Sequence, residues 1–304
     1  MLLAFFMRAP SRGQARATEP AIIRNEAPTE DAAGVQPLPR AALPGRIRTY
    51  GDQDADTEDM AATEARKVIA RSRAAYAACD TYEDDGTIDD AFRGKRTFLD
   101  QVVFHTVFAG SNAVRLTYRQ LADQYHPEKV TQLVVDDAGA KLMLPWDKRP
   151  EGNRSLKGAA VELAGVSKGL TLAILPLLSS DLLPGQTSLD LPKPELVESD
   201  NVDGETCDVI EATTRDGTDH VRVFIGRNDS LIHRISTDTV LSADAIRTER
   251  ANANEVLREA GLDVETDMLG NEPEGLSTFE VTTFHPRCGR PVAPDALRMT
   301  DGSL

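Results

Sequence analysis

Much of the chain from residue 97 onward consists of short runs in which apolar and polar side chains alternate. The alternation is clearest in residues 97–108 and 113–119. A period of two is typical of strands that bury one face and leave the other solvated, as in antiparallel sheets. On one face of these two strands the sequence places Phe98, Val102, Phe104, Phe108, Val114, Leu116 and Tyr118.

The same pattern predicts further strands, with turn residues between them. The additional runs are 131–135, 140–146, 195–199, 207–214, 220–225, 230–240 and 278–284. Gly beside Asp, Arg or Asn separates several of these runs, which favours tight hairpins between strands that follow one another in sequence. The segment after residue 286 shows no periodicity and is predicted to be irregular.

A polar strand is predicted at residues 81–92, interrupted by Asp84-Asp85-Gly86. Asp followed by Gly is a turn signal, so the sequence predicts a turn or bulge with solvated carboxylates there. A calcium loop of the EF-hand type is not indicated, because Gly86 falls one position too late when the loop is counted from Asp80.

Three helical segments are predicted around these strands. The first begins near Thr57 and ends near Asp80, the second is the long apolar run 155–183, and a charged helix follows at 243–260. One apolar helical run beside many amphipathic strands predicts an α+β fold. The expected architecture is a curved antiparallel half-barrel sheet that helices close on its concave side.

The apolar run also contains Gly165-Val166-Ser167-Lys168-Gly169, the Gly-x-Ser-x-Gly pattern of serine hydrolases. In those enzymes a buried strand precedes the Ser, so that a strained turn exposes its hydroxyl. Here the residues before Ser167 have helical spacing, which favours a helix break at Gly165 and a helix cap at Ser167. A serine esterase that uses Ser167 is therefore the minor alternative.

Composition narrows the classes of partner. The chain has 304 residues with 49 Asp and Glu against 34 Lys and Arg, a net charge of −15. This balance disfavours nucleic acid, which proteins bind through basic surfaces. Residues 170–178 are apolar but too short to cross a bilayer, so an integral membrane protein is not predicted.

The five histidines, at positions 105, 126, 220, 233 and 285, show no metal-ligand spacing. The sequence also has no Gly-x-Gly-x-x-Gly motif and no phosphate-binding loop. No metal and no cofactor are therefore predicted. Cys79, Cys207 and Cys288 form no Cys-x-x-Cys pair, and buried thiols are expected, although one disulfide with an odd thiol is a second arrangement.

The first 55 residues differ from the rest of the chain. Residues 1–7 are apolar like the core of a signal peptide, and Ala15-Arg16-Ala17 resembles a cleavage site. We expect a truncated signal peptide followed by a disordered linker in residues 1–55. A single domain is expected at 56–300, with a helical insertion at about 243–275. The location expected from this signal is periplasmic or otherwise extracytoplasmic.

Several segments resemble a known group of proteins. They are the helix break Ala164-Gly165-Val166-Ser167-Lys168-Gly169, the strand entry Val202-Asp203-Gly204-Glu205-Thr206-Cys207 and the strand Leu231-Ile232-His233-Arg234-Ile235. In their order along residues 57–300 these segments resemble periplasmic proteins of unknown function that share the lipoprotein-carrier (LolA-like) architecture. The resemblance implies an incomplete barrel with a hydrophobic interior, an extracytoplasmic location and no enzymatic activity.

The predicted ligand is accordingly a lipid or the acyl chain of a lipoprotein, bound in a hydrophobic concavity. The candidate lining residues are Phe98, Val102, Phe104, Phe108, Val114, Leu116, Tyr118, Leu142, Leu144, Trp146, Leu170 and Ile174. Two alternatives stay open. In the first, these side chains fill a closed core and bind no ligand. In the second, the protein is an envelope module without ligand, whose open sheet edge pairs with a protein partner.

Overall fold

The computed structural model describes residues 55–299 with internal gaps. The gaps are 94–96, 111–112, 123–126, 137–138, 145–150, 155–158, 160–162, 164–169, 180–186, 214–216, 249–275 and 294. The predicted signal peptide, the linker, Ser167 and most of the predicted insertion lie outside the described residues. Those predictions therefore stay predictions.

The described residues form two helices and eleven strands. In chain order they are α1 (Ala55–Ala77), β1 (Thr81–Arg93), β2 (Thr97–Ala109), β3 (Ala113–Gln120), β4 (Lys129–Asp136), β5 (Gly139–Met143), β6 (Glu151–Arg154), α2 (Leu170–Leu178), β7 (Glu195–Val202), β8 (Glu205–Thr213), β9 (Asp219–Gly226), β10 (Ile232–Leu241) and β11 (Leu276–Cys288). Residues 243–248 form a further helical turn.

All eleven strands belong to one open antiparallel sheet. Its order is β6-β5-β4-β3-β2-β1-β11-β10-β9-β8-β7, so consecutive strands pair throughout except β6 and β7, which lie at opposite edges of the sheet. Two meanders, β1–β6 and β7–β11, are thus joined where β1 pairs with β11. The curved open sheet with helices confirms the predicted α+β half-barrel.

The two faces of the sheet differ in what covers them. We call the face that packs against α1 and α2 the inner face, and the opposite one the outer face. In β1 the alternate residues from Tyr82 to Asp90 are buried on the inner face, and the residues between them are partly or fully exposed. This is the alternation expected of a half-buried antiparallel strand.

The helices complete the main core. The sheet-facing stripe of α1 contains Ala65, Val68, Ile69, Ser72 and Tyr76, all buried, at the spacing of one helix face. In α2, residues 174–178 are all buried. A helix that is apolar around its circumference lies inside a core instead of on a surface.

The outer face is covered in two places. Arg115 Nη1 donates a hydrogen bond to the carbonyl oxygen of Ala296 at 3.2 Å, so the C-terminal segment lies against β3. Elsewhere a small apolar cluster forms around Phe224, and the Arg234 guanidinium lies 5.5 Å from the centre of its ring. Such a contact adds a cation–π attraction to the packing.

Two sequence predictions are corrected by β1 and β11. Asp84-Asp85-Gly86 forms no turn, because β1 runs without interruption from Thr81 to Arg93 between two full-length partner strands. The segment after residue 286 is not wholly irregular, because β11 continues to Cys288 opposite Tyr82. In both cases pairing between strands distant in sequence outweighs the local turn signal.

Neither edge of the sheet offers a long regular strand. At one edge, β6 has four residues. At the other, β7 contains a bulge between Leu196 and Glu198, and residues 198–201 are exposed. Short, bulged and charged edges discourage pairing with another chain. This geometry disfavours the predicted alternative of a partner strand added to the sheet edge.

Candidate functional site

The structure brings most of the predicted lining residues into one buried cluster. Each of the following is at most 4% exposed: Val102, Phe104, Phe108, Val114, Leu116, Tyr118, Leu142 and Ile174. Leu144 is partly buried and packs against them. The side chains of Phe98, Trp146 and Leu170 lie outside the described residues. We call this region, between the inner face and the two helices, the interior.

Strand register explains why these side chains meet. Phe104 is paired with Tyr118, and Phe108 is paired with Val114, so residues from β2 and β3 share one face. Leu116 is in turn paired with Leu133 of β4. Directly opposed residues lie on the same side of a sheet, and the alternation read from the sequence therefore becomes one continuous apolar surface.

Gly86 is required beneath one of these aromatic rings. A side-chain carbon at this position would collide with the Phe104 ring and with the Thr283 carbonyl oxygen. The Phe104 ring also makes an edge contact with Phe284, with centroids 5.6 Å apart. Glycine thus lets three neighbouring strands share one aromatic layer in the middle of the sheet.

A polar network inside the interior was not predicted from the sequence. The Tyr82 hydroxyl donates to Asp84 Oδ2 at 2.9 Å, and the His285 backbone N–H donates to Asp84 Oδ1 at 2.8 Å. The Tyr76 hydroxyl is hydrogen-bonded to that of Tyr82, and it accepts the Ile232 backbone N–H at 3.1 Å. The network therefore links α1 to β1, β10 and β11.

Burial changes the acidity of this network. Asp84 is 0% exposed, and burial raises the pKa of its carboxyl to about 7 although two hydrogen bonds oppose the change. Burial also raises the pKa of the Tyr76 and Tyr82 hydroxyls. Desolvation disfavours an ionised group, so the interior favours the neutral forms of all three side chains.

Asp85, the next residue, faces the opposite way. It lies on the outer face, where His105 Nδ1 and Arg287 Nη2 each lie 2.6 Å from its carboxylate. Partial burial opposes ionisation, but the hydrogen bonds from Arg287 and His105 outweigh it and lower the Asp85 pKa. Two neighbouring aspartates thus have opposite environments because a strand alternates its faces.

A disulfide between Cys79 and Cys288 joins the end of α1 to the end of β11. It corrects the prediction of buried thiols at these two positions, whereas the buried thiol predicted at Cys207 is confirmed. Two ion pairs hold the C-terminal third of α1. They join Arg71 to Asp208 at 3.0 Å and Arg73 to Asp190 at 2.6 Å.

Cysteine labelling checks this assignment. Cys207 is buried, and its burial, together with nearby Glu205, raises the pKa of the thiol to about 12, which suppresses the reactive thiolate. Without reductant, we expect iodoacetamide to label no cysteine in the folded protein and one after unfolding. Unfolding with reductant should label all three cysteines. Labelling of Cys288 in the folded, non-reduced protein would contradict the pairing.

Among the described residues, no group of three or more His, Cys, Asp or Glu side chains is placed to hold a metal ion. Within the same part of the chain, neither helix is long and apolar enough to span a membrane. The Ser167 hydroxyl lies outside the described residues, so the esterase alternative stays a prediction.

Comparisons with known proteins concern the fold. No protein family model matches the chain, and no curated protein matches it. Among solved structures, LprF from Mycobacterium bovis is similar at 11% identity and a TM-score of 0.38, over 77% of this chain and 97% of LprF. The LolA superfamily protein NE2245 from Nitrosomonas europaea is similar at 11% identity and a TM-score of 0.29, over 78% and 98%.

A DUF1329 family protein from Desulfovibrio piger is similar at 9% identity and a TM-score of 0.31, over 80% of this chain and 99% of that protein. With TM-scores below 0.5, these likenesses carry no argument about this chain and assign no residue a role. The observed open antiparallel sheet with its helices has the incomplete barrel that the resemblance read from the sequence implies.

Proposed function

We propose that this chain is an extracytoplasmic, non-catalytic binding protein for the acyl chain of a lipid or lipoprotein. The observation that carries the proposal is the interior itself. One apolar cluster extends without interruption from the inner faces of β2–β5 to both helices. An acyl chain bound there would exchange water for apolar contacts over its whole length.

The helix α2 is the element best suited to make room for such a chain. It has nine residues and contains Pro176. Proline removes a helical hydrogen bond, and so short a helix is marginal without its packing partners. Because residues 174–178 are buried on all sides, an acyl chain that displaced α2 would meet the same apolar side chains that α2 now contacts.

The energetic scale permits this exchange. Burial of one methylene group contributes ~0.8 kcal/mol, so a chain of a dozen carbons contributes about 10 kcal/mol before the costs of ordering and of moving the helix. Because association itself costs at least about 4 kcal/mol, at most about 6 kcal/mol remains, which corresponds to a Kd of tens of micromolar or weaker.

The disulfide supports the proposed location. Stable disulfides form in secreted and periplasmic proteins and are rare in the reducing cytosol. The Cys79–Cys288 bridge joins two elements of the main core and is therefore a structural bond. A net charge of −15 also disfavours binding to anionic membrane surfaces, which fits a protein that holds a lipid chain away from the bilayer.

Native mass spectrometry tests the proposal directly. The full chain, exported with a functional signal peptide and purified without detergent, should carry extra mass that dissociates on activation and extracts into organic solvent. A bare mass, together with no binding of added fluorescent fatty acids or lysophospholipids, would contradict the proposal. Specific co-purification of a protein without lipid would instead support an envelope interaction module.

A matched pair of variants locates the bound chain. Ala173 of α2 packs against the interior, whereas Ala74 of α1 is exposed. Ala173→Phe should lower the affinity for a fluorescent acyl probe by about tenfold or more, because exclusion of about two methylene groups has that effect. Ala74→Phe should leave the affinity unchanged. Equal affinities of the two variants would place the ligand elsewhere.

A further inference from the structure

Asp84 lies beneath the C-terminal end of α1, where the helix meets the sheet. Tyr76, in the last turn of the helix, packs its ring 5.8 Å from that of Tyr82, whose hydroxyl binds Asp84. Cys79 is bonded to Cys288, and Cys288 is paired with Tyr82 across the sheet. The carboxyl group and the attachment of the helix therefore occupy the same small region of the core.

We propose that Asp84 is a proton-operated latch for α1. While the carboxyl is protonated, the helix rests on the inner face of the sheet, and ionisation of the carboxyl releases the helix so that water reaches the interior. The movement of α1 is independent of what the protein binds. Its consequence for an acyl ligand rests on the function proposed above.

The partners of Asp84 explain why ionisation would act on the helix. Both described hydrogen bonds to the carboxyl come from the sheet, from the Tyr82 hydroxyl and the His285 backbone N–H. Among the described side chains, no Lys or Arg forms an ion pair with it. A buried charge without an ion-pair partner is strongly unfavourable, and hydration relieves it. Hydration at this position requires the last turn of α1 to move.

The ionisable groups around the latch come from several elements. Tyr76 faces Asp84 from α1, and Tyr82 lies on the same strand. Asp85 and His285 act from the outer side of the sheet, with opposite electrostatic effects on Asp84. Asp229, which is paired with His233, acts on the network through Tyr76. Asp84 is the group among these that lies buried within the network and can lose its proton near neutral pH.

The disulfide fixes Cys79, two residues beyond the end of α1, and defines the direction of movement. Because Cys79 stays bonded to Cys288, the whole helix, with Tyr76 in its last turn, can only swing about Cys79. Two features favour release of the helix from the sheet. The Ser72 hydroxyl is buried against the sheet without a hydrogen-bond partner among the described residues. The ion pairs that Arg71 and Arg73 form with carboxylates involve partly exposed arginine side chains, and such pairs contribute little to stability.

The sign of the pH dependence follows from the raised pKa. Burial raises the Asp84 pKa to about 7 in the closed state, whereas a hydrated aspartate titrates near 4. The closed state therefore binds more protons between these values, and its advantage is full at low pH and declines as pH rises. Opening should become about tenfold more favourable per pH unit up to about pH 7 and then level off.

Hydrogen–deuterium exchange on the full, disulfide-bonded chain measures this opening. Exchange in α1, corrected for the intrinsic pH dependence of amide exchange, should report the predicted rise and plateau. In Asp84→Asn the dependence should vanish, whereas Asp85→Asn, on the adjacent outer-face position, should retain it. A wild type without this rise, or an Asp84→Asn variant that behaves like wild type, would overturn the proposal.

Two further comparisons keep the test decisive. Amides of β4, remote from the latch, should show no matching change, and an equal change there would indicate global unfolding and contradict the latch. If Asp84→Asn does not fold, Tyr82→Phe takes its place. Loss of the hydroxyl that stabilises the carboxylate should move the plateau to higher pH, and an unchanged profile would count against the proposal.

The consequence for a ligand is measured separately. A bound fluorescent fatty acid should dissociate faster at pH 8 than at pH 6 from the wild type, and at equal corrected rates from Asp84→Asn. If no probe binds while the exchange result holds, the proposed function fails and the latch stands. If the probe binds but α1 shows no pH-dependent opening, the latch fails and the proposed function stands.

Discussion

Replacement of both Cys79 and Cys288 by serine is expected to lower the free energy of unfolding by about 5 kcal/mol, on the chain-entropy model of a crosslink. The two residues are 209 positions apart, so the bond restricts a large loop of the unfolded chain. A loss of this size corresponds to a decrease in Tm of roughly 10–20 °C for a domain of this size. Urea unfolding of the oxidised wild type and the double variant measures it.

The matched comparison is the wild type with and without reductant. Reduction should reproduce most of the loss seen in the double variant, because both remove the same crosslink. The double variant itself should be insensitive to reductant, since Cys207 is a free thiol. An unfolding midpoint that is the same in the oxidised wild type and the double variant would show that the bond does not contribute in this way.

Gly86→Val is expected to be the most damaging single substitution on the inner face. The new side chain would meet the Thr283 carbonyl oxygen and the Phe104 ring, and neither can move far inside three paired strands. Forced overpacking of a core typically costs about 1–3 kcal/mol and can exceed that where backbone must shift. We expect low yield of folded protein and a clear fall in the unfolding midpoint.

Thr87→Val is the control for this substitution. Thr87 is adjacent in β1 and faces the outer side, opposite Val103 of β2 and Thr283 of β11. It is partly exposed, and valine suits a strand, so the change should stay within about 0.5 kcal/mol. If Thr87→Val and Gly86→Val lose stability equally, the β propensity of the strand and not the close packing at Gly86 decides the effect.

The inner face of the first meander could be predicted from sequence because local alternation determines it. Val102, Phe104 and Phe108 occupy alternate positions of β2, and pairing of consecutive strands then aligns Phe104 with Tyr118 and Phe108 with Val114. Short hairpin connections fix the register between these strands locally in the sequence. The predicted lining residues of β2, β3 and β5 therefore meet in the structure without any long-range information.

Asp84 could not be placed in this way. In the sequence it stands beside another aspartate and a glycine, which is the pattern of a solvated turn. Its burial results from β11, a strand from the far end of the chain, which pairs along β1 and supplies the His285 N–H. A single backbone donor contributed by such a distant strand leaves no local sequence pattern.

The disulfide pairing could not be predicted from the sequence for a related reason. Three cysteines allow three pairings, and spacing does not distinguish them. Cys79 and Cys288 meet only because α1 ends at the sheet while β11 ends opposite Tyr82. Cys207 is on β8 within the second meander, in a separate cluster on the outer face. Topology, which sequence periodicity does not encode, therefore selects the pair.

The position of β11 also bears on how the chain folds as it is made. During synthesis or export the first meander emerges with one edge of β1 unpaired, and one edge of β10 is likewise unpaired until β11 follows. Since such long-range pairing is slow and open strands invite misassembly, the nascent protein should depend on chaperones until its C-terminal strand inserts between β1 and β10. Truncations before residue 276 should accordingly yield aggregates instead of a stable half-sheet.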